Sequence, residues 1–256
     1  MTTINLNADM GESYGRFTVG NDEAILKIIN SASIACGFHA GDPTVMATAV
    51  KLAKDNGVSI GAHPGFNDLW GFGRRQIQMK PKDLEYMISY QIGALNGIAA
   101  AFDAKVTHVK PHGALNNMAH VDPEYATAIA RGIKAVDRDI IFVANVLSEM
   151  VKAGREEGLR VALEAYVDRT YDDTGAMTSR KFPDAMIHDA EQATKQVVTF
   201  LNEGAVISQS GKKFPTQIHT FCCHGDEATG VAVVGTVKKA LEKQGFKFAT
   251  LPEMDL

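Results

Sequence analysis

One event recurs along this chain and limits what it can fold into. A short apolar run, often β-branched, breaks off in a polar or ionisable residue beside Gly or Pro, and a helical stretch follows. It is sharpest where Val106-Thr-His108-Val109 runs into Lys110-Pro111-His112-Gly113. Proline has no N–H to give a sheet ladder, so the strand stops near Lys110. A cation and an imidazole then sit just past its C-terminal end, which is where parallel α/β architectures build active sites.

The same reading predicts strands near residues 4–8, 33–36, 58–62, 140–144, 160–163 and 217–223, with 246–249 as a candidate closing strand. Residues 21–23 open a helix that runs to 29. Asp42 before Pro43 and Asp122 before Pro123 read as N-caps with Pro in the first turn. Lys80-Pro81 opens a long helix to about residue 102, a polar loop is expected up to Pro183, and 204–215 reads as a polar insertion. Seven strand–helix units in strict alternation imply a parallel sheet with right-handed crossovers. That many units favour a closed or nearly closed (β/α) barrel over an open sheet. With 256 residues and no repeat, linker or low-complexity tract, the expectation is a single barrel domain over residues 1–256.

The formal net charge is -4, with no long basic or acidic run, so nothing points to nucleic acid or an anionic membrane as a partner. No apolar run approaches the ~18–20 residues of a transmembrane helix. The first residues lack the basic region of a secretory signal. The three cysteines, Cys36, Cys222 and Cys223, are odd in number and two are adjacent, which argues against a disulfide framework and for a reducing cytoplasm.

In a parallel barrel all strand C-termini face one way. The residues delivered there are Asp9 and Glu12, His39 and Asp42, His63, Lys110 and His112, Asn145, Glu164 with Asp168 and Arg169, then His224 and Asp226. One histidine after a strand is more often a loop residue capping a helix. Here five of eight (His39, His63, His108, His112 and His224) fall at or beside strand ends, and they converge if the barrel closes. Imidazoles serve as general bases near neutral pH and as metal ligands. Lys110 has two readings, a nucleophile of lowered pKa or a charge that binds a carboxylate or phosphate. Candidate catalytic residues are Asp9, His39, His63, Lys110, His112 and His224. Candidate substrate-binding residues are Glu12, Arg74, Arg75, Asn145, Glu164, Arg169 and Asp226, with Arg169 suited to a planar carboxylate. Arg74-Arg75 read equally well as a solvated surface pair, and Asp42, His112 and Asp226 as helix N-caps. Asp9, His39 and His63, with His112 and His224, contain two-His-one-carboxylate and three-His sets. No Cys-x-x-Cys spacing supports them, so a divalent metal is left open. Cys222 and Cys223 read as small core residues rather than nucleophiles. No Gly-x-x-x-x-Gly-Lys-Ser/Thr phosphate loop is present.

Several stretches taken together resemble one family. They are Asn5-Leu-Asn-Ala-Asp9-Met-Gly-Glu12, Ile34-Ala-Cys-Gly-Phe-His39-Ala-Gly-Asp42-Pro43, Gly61-Ala-His63-Pro-Gly65, Gly71-Phe-Gly-Arg74-Arg75, Val109-Lys110-Pro-His112-Gly-Ala-Leu115, Asp168-Arg169-x-Tyr171 and Cys223-His224-Gly225-Asp226. In this order they resemble the LamB/YcsF family, the A subunit of bacterial 5-oxoprolinase. Asn116 stands where the family pattern has Tyr. The resemblance implies a seven-stranded (β/α) barrel similar to the glycoside hydrolase/deacetylase fold. It also implies ATP-dependent opening of 5-oxo-L-proline to L-glutamate, in a complex with separate B and C subunits. Two other readings stand beside it: a metal-dependent carbohydrate deacetylase, and a subunit that only holds substrate for a partner.

Overall fold

The computed structural model describes residues 3–223 and 228–256. Seven strands form the barrel: β1 (Thr3–Met10), β2 (Ser31–Ala35), β3 (Ser59–His63), β4 (Val106–Val109), β5 (Ile141–Asn145), β6 (Val161–Tyr166) and, after the short pair β7 (Ala205–Ile207) and β8 (Lys213–Pro215), β9 (Thr220–Cys223). Every neighbouring barrel pair is parallel, and β9 returns to β1 to close the ring. The expected parallel, seven-stranded barrel is therefore what forms. The candidate closing strand exists as β10 (Lys247–Phe248), but it pairs with Thr3 and Ile4 of β1 rather than entering the ring.

The helices are α1 (Asp22–Ile25), α2 (Pro43–Asp55), α3 (Pro81–Ala100), α4 (Gly113–Val121), α5 (Pro123–Val136), α6 (Glu149–Glu156), α7 (Ala190–Glu203) and α8 (Ala228–Lys243). Asp42 caps α2 through the N–H groups of Thr44 and Val45, and Asp122 caps α5 through Glu124 and Tyr125, as the Asp-Pro pairs predict. No helix among the described residues is long and apolar enough to cross a membrane.

Three local expectations differ. α1 stops at Ile25 rather than residue 29: Ile28 N–H bonds back three residues to Ile25 O, a tighter turn that leads Asn30 N–H onto Leu6 O of β1. α4 is an addition: the sequence read in chain order places the next helix at Asp122-Pro123, and only the N-cap reading of His112 points to one here. Gly113 takes φ +54, and its successor Ala114 donates to Gly73 O, so the helix starts on a tertiary partner. The polar stretch 204–215 contains the antiparallel pair β7–β8.

Residues in register share a face, and the register makes the barrel interior polar. Asn5, Asn7 and Asp9 of β1 align with Thr220 and Cys222 of β9 and with Ser31 and Ser33 of β2. Those serines align in turn with Ser59 and Gly61 of β3. Gly61 has no room for a Cβ, which would lie 2.2 Å from the His108 ring. Buried polar groups are costly unless paired, and most of these are paired, Ser33 Oγ being an exception. Asn5 Nδ2 donates to Ser31 Oγ at 2.8 Å, Thr220 Oγ1 donates to Asn5 Oδ1 at 2.7 Å, and Asn7 Nδ2 donates to Thr220 Oγ1 at 2.8 Å and Glu164 Oε1 at 2.9 Å. The opposite end is apolar: Ile141, Val143 and Ala162 pack on Leu251 and Met254 from the chain's last turn. The larger apolar core lies between strands and helices, with Leu84, Ile88 and Ile92 of α3 in one cluster with Ile129 and Ile133 of α5. Burying each such side chain contributes about 1.5–3 kcal/mol, so this outer layer holds the barrel while the inner face stays free for chemistry.

Candidate active site

The polar interior opens at the C-terminal ends of the strands into a cavity of about 630 Å³, within the usual size of small-molecule sites. Asp9, Glu12, His63, Lys110 and His112 form its floor, and Arg74, Asn116, Asn117, His120, Arg169, Arg180 and Lys181 are among its walls.

Lys110 sits at the top of the interior with 2% of its surface exposed. Its Nζ lies 2.5 Å from Asp9 Oδ1, 3.1 Å from Asn7 Oδ1, 3.3 Å from Glu164 Oε1 and 3.1 Å from Cys222 Sγ. An ammonium has three protons, so these neighbours use them all. Burial works against its charge, but Asp9, then Cys222 and Glu164, outweigh that and hold its pKa well above the ordinary lysine range. Lys110 is thus a charged lysine that fixes Asp9 and Glu164, and of its two sequence readings the uncharged nucleophile has no support here.

Three imidazoles lie beside Asp9. His63 Nδ1 donates to Lys110 O at 2.7 Å, and His112 Nε2 donates to Phe72 O at 2.8 Å, because a carbonyl only accepts. His63 Nε2 then faces His112 Nδ1 at 3.0 Å and Asp9 Oδ2 at 3.3 Å. His39 stacks on His112 with centroids 3.6 Å apart and planes within 3°, and its Nε2 is 3.0 Å from Glu12 Oε1. Burial first, and then the neighbouring imidazoles, hold His39 and His112 well below the ordinary histidine range, so both are neutral near pH 7.

The surrounding chain builds this arrangement. Gln91 of α3 brackets the turn after β3, accepting from Gly65 N–H at 3.0 Å and donating to Gly65 O at 2.9 Å. The loop carrying Phe72 folds over the imidazoles at Gly73, whose φ is +64; a Cβ there would lie 2.6 Å from His39 Cβ and 2.7 Å from His112 Cδ2.

The other candidates divide. Glu164 lies below Lys110. Asn145 is buried behind Tyr166, whose hydroxyl donates to it at 3.3 Å. Arg74 lines the cavity with its guanidinium 5.1 Å from the Phe72 ring centre. Arg169 also lines it, but donates to Thr178 O at 2.6 Å and Ala185 O at 3.3 Å, bracing the loop between β6 and α7. Arg75 is not brought to the cavity; it is exposed and paired with Asp68. Asp42 caps α2, as its alternative reading has it, whereas His112 makes no side-chain cap for α4. His224 and Asp226 lie outside the described residues. Cys36, Cys222 and Cys223 are free and buried, and burial pushes their thiols up, Cys36 to about 12. Asn7, Phe72 and Tyr166 went unnoticed in the sequence. Asn7 was findable, since it precedes Asp9 by one β period; the Phe72 carbonyl had no signal.

The LamB/YcsF family pattern matches residues 4–255. The chain belongs to this family. It is 46% identical over 254 residues to the A subunit of 5-oxoprolinase from Azoarcus sp. (strain BH72), covering 99% of each chain. The crystal structure of a lactam utilization protein from Thermus thermophilus superposes with a TM-score of 0.92 at 40% identity, over 98% of this chain and 100% of that one. The catalytic domain of a peptidoglycan N-acetylglucosamine deacetylase from Eubacterium rectale, at 12% identity and a TM-score of 0.50, shares the fold; the match covers 98% of this LamB/YcsF chain and 88% of that one.

Proposed function

We propose that this chain opens the lactam ring of 5-oxo-L-proline to L-glutamate with ATP, as the A subunit of a cytoplasmic complex with separate B and C subunits. The observation that carries the reading is the near full-length identity to the A subunit of 5-oxoprolinase, joined to one cavity floored by Asp9, His63, Lys110 and His112.

A five-membered lactam pairs a stable amide with a carboxylate. Transfer of the ATP γ-phosphoryl to the lactam oxygen turns that oxygen into part of a leaving group. Water then adds to the ring carbon, the C–N bond breaks as the nitrogen takes a proton, and a second water hydrolyses the resulting acyl phosphate to release phosphate. The sum is 5-oxoproline, ATP and two waters giving glutamate, ADP and phosphate. In this account Asp9, kept ionised by Lys110, and His63 hold and deprotonate the water. His112 returns a proton to the ring nitrogen. Arg74, Arg180 and Lys181 set positive charge around the opening for the substrate carboxylate and phosphate.

The test is glutamate formation from 5-oxoproline, followed by NMR, with ATP, this chain and each of its B and C partners left out in turn. Glutamate that appears only in the full mixture supports the reading. Glutamate formed at the same rate without this chain removes it.

A further inference from the structure

We infer that Glu12, His39, His63 and His112 form a site for one divalent transition-metal ion at the floor of the cavity. The inference goes beyond the lactam reading and stands without it; an ion there takes the lone pairs of His63 and His112 and so replaces the proton roles given to them above, leaving Asp9 as the base. Its ground is where the lone pairs point. His63 gives its Nδ1 proton to Lys110 O and His112 gives its Nε2 proton to Phe72 O. The remaining nitrogens, His63 Nε2 and His112 Nδ1, face each other at 3.0 Å. Two bare lone pairs would repel at that distance, so the contact needs either a shared proton or a metal ion between the two nitrogens. Two nitrogens so spaced suit an ion about 2.1 Å from each, held at close to a right angle.

Glu12 is in place beside them, and His39, stacked parallel to His112, joins the set by turning its ring. Glu12 Oε1 lies 3.3 Å from His112 Nδ1 and 3.0 Å from His39 Nε2, and the four donor atoms all lie within 4.8 Å of one another. The carbonyls behind His63 and His112 are the outer partners that orient ligating imidazoles in metal sites. His39 Nδ1 has no hydrogen-bond partner among the described residues, so it can carry the ring proton once an ion displaces the Nε2–H···Glu12 contact and takes the Nε2 lone pair. Three nitrogens and one carboxylate oxygen suit Zn²⁺, Co²⁺ or Fe²⁺ rather than Mg²⁺ or Ca²⁺. Asp9 borders the set: Lys110 holds its Oδ1 at 2.5 Å, and its Oδ2 lies 3.3 Å from His63 Nε2. Glu12, His63 and His112 border the cavity, so the ion would be reachable from it.

The full chain, stripped with a chelator, would be titrated with CoCl₂ under equilibrium dialysis and visible spectroscopy. One Co²⁺ per chain with ligand-field bands is expected. The His63→Gln/His112→Gln variant should lose more than about 100-fold in affinity, beyond what the loss of outer partners alone causes. A wild-type protein with no such bands, or a folded variant that binds Co²⁺ as wild type does, overturns the inference. If the variant does not fold, ¹⁵N-imidazole NMR of the wild type with ZnCl₂ decides. Movement of one nitrogen signal in each of His63 and His112 upholds the site, and unmoved signals refute it.

Discussion

Replacing Lys110 by a neutral side chain of similar length would leave Asp9 and Glu164 inside the barrel with no counter-ion. Burying an unpaired charge is far worse than never having had the pair, so Lys110→Met should destabilise the fold by about 3–5 kcal/mol, measured by urea unfolding. The same variant should lose glutamate formation, because Asp9 would then ionise less readily. A variant as stable as wild type would show that the charges at Asp9 and Glu164 do not depend on Lys110. The sequence showed that Lys110 and Asp9 end strands on one face. It did not show that they touch, since a contact between residues 9 and 110 exists only once the barrel has closed. Arg75 marks the limit of such reading: it adjoins Arg74, but Asp68 takes its guanidinium away from the cavity.

Two elements position the imidazoles without entering the reaction. Gly73 in the loop before α3 takes a positive φ and lies against His39 and His112, so Gly73→Ala should both strain the backbone and push the stacked rings apart. The expected result is a fall in activity together with a lower melting temperature; unchanged kinetics would show that the loop does not set the rings. Gln91 on α3 satisfies both backbone groups of Gly65. Gln91→Leu should cost about 1–3 kcal/mol by leaving them unpaired, and a thermal melt within error of wild type would contradict that. At this scale the Asp-Pro pairs announced α2 and α5 correctly, because capping is local chemistry. How α4 starts was hidden because it depends on Gly73 O, a partner 41 residues from Ala114 in the chain (114 − 73), and β7–β8 because a two-strand hairpin in polar sequence has no apolar period.

The barrel as a whole carries histidines buried in the neutral form. For His108, burial first and then Lys110 lower the pKa to about 3. The unfolded chain binds its proton near the ordinary value of about 6.5. Between those limits the unfolded state binds more protons, so the stability due to a neutral His108 is full above about pH 6.5 and is lost as pH falls towards 3. His219, lowered by burial and Arg155, acts in the same direction. Unfolding free energy should therefore drop by up to about 1.4 kcal/mol per pH unit for His108 across this window, and the slope should be shallower in His108→Gln. Equal slopes for the two proteins would contradict the assignment. Seven parallel strands were legible because each apolar run ends in a polar break. The polar interior was not, because Asn5, Asn7, Ser31 and Ser33 sit inside runs that read as ordinary strands, and their partners come from other strands. The account rests on one floor of side chains, drawn from β1, β3 and β4 and the turns after them, acting on one lactam. The most direct measurement is the turnover of 5-oxoproline to glutamate with ATP by the complete three-component mixture, carrying Asp9→Asn or His63→Gln in this chain. Each variant should assemble with its partners and lose about 10²–10⁴-fold in kcat; full turnover in both would contradict the account.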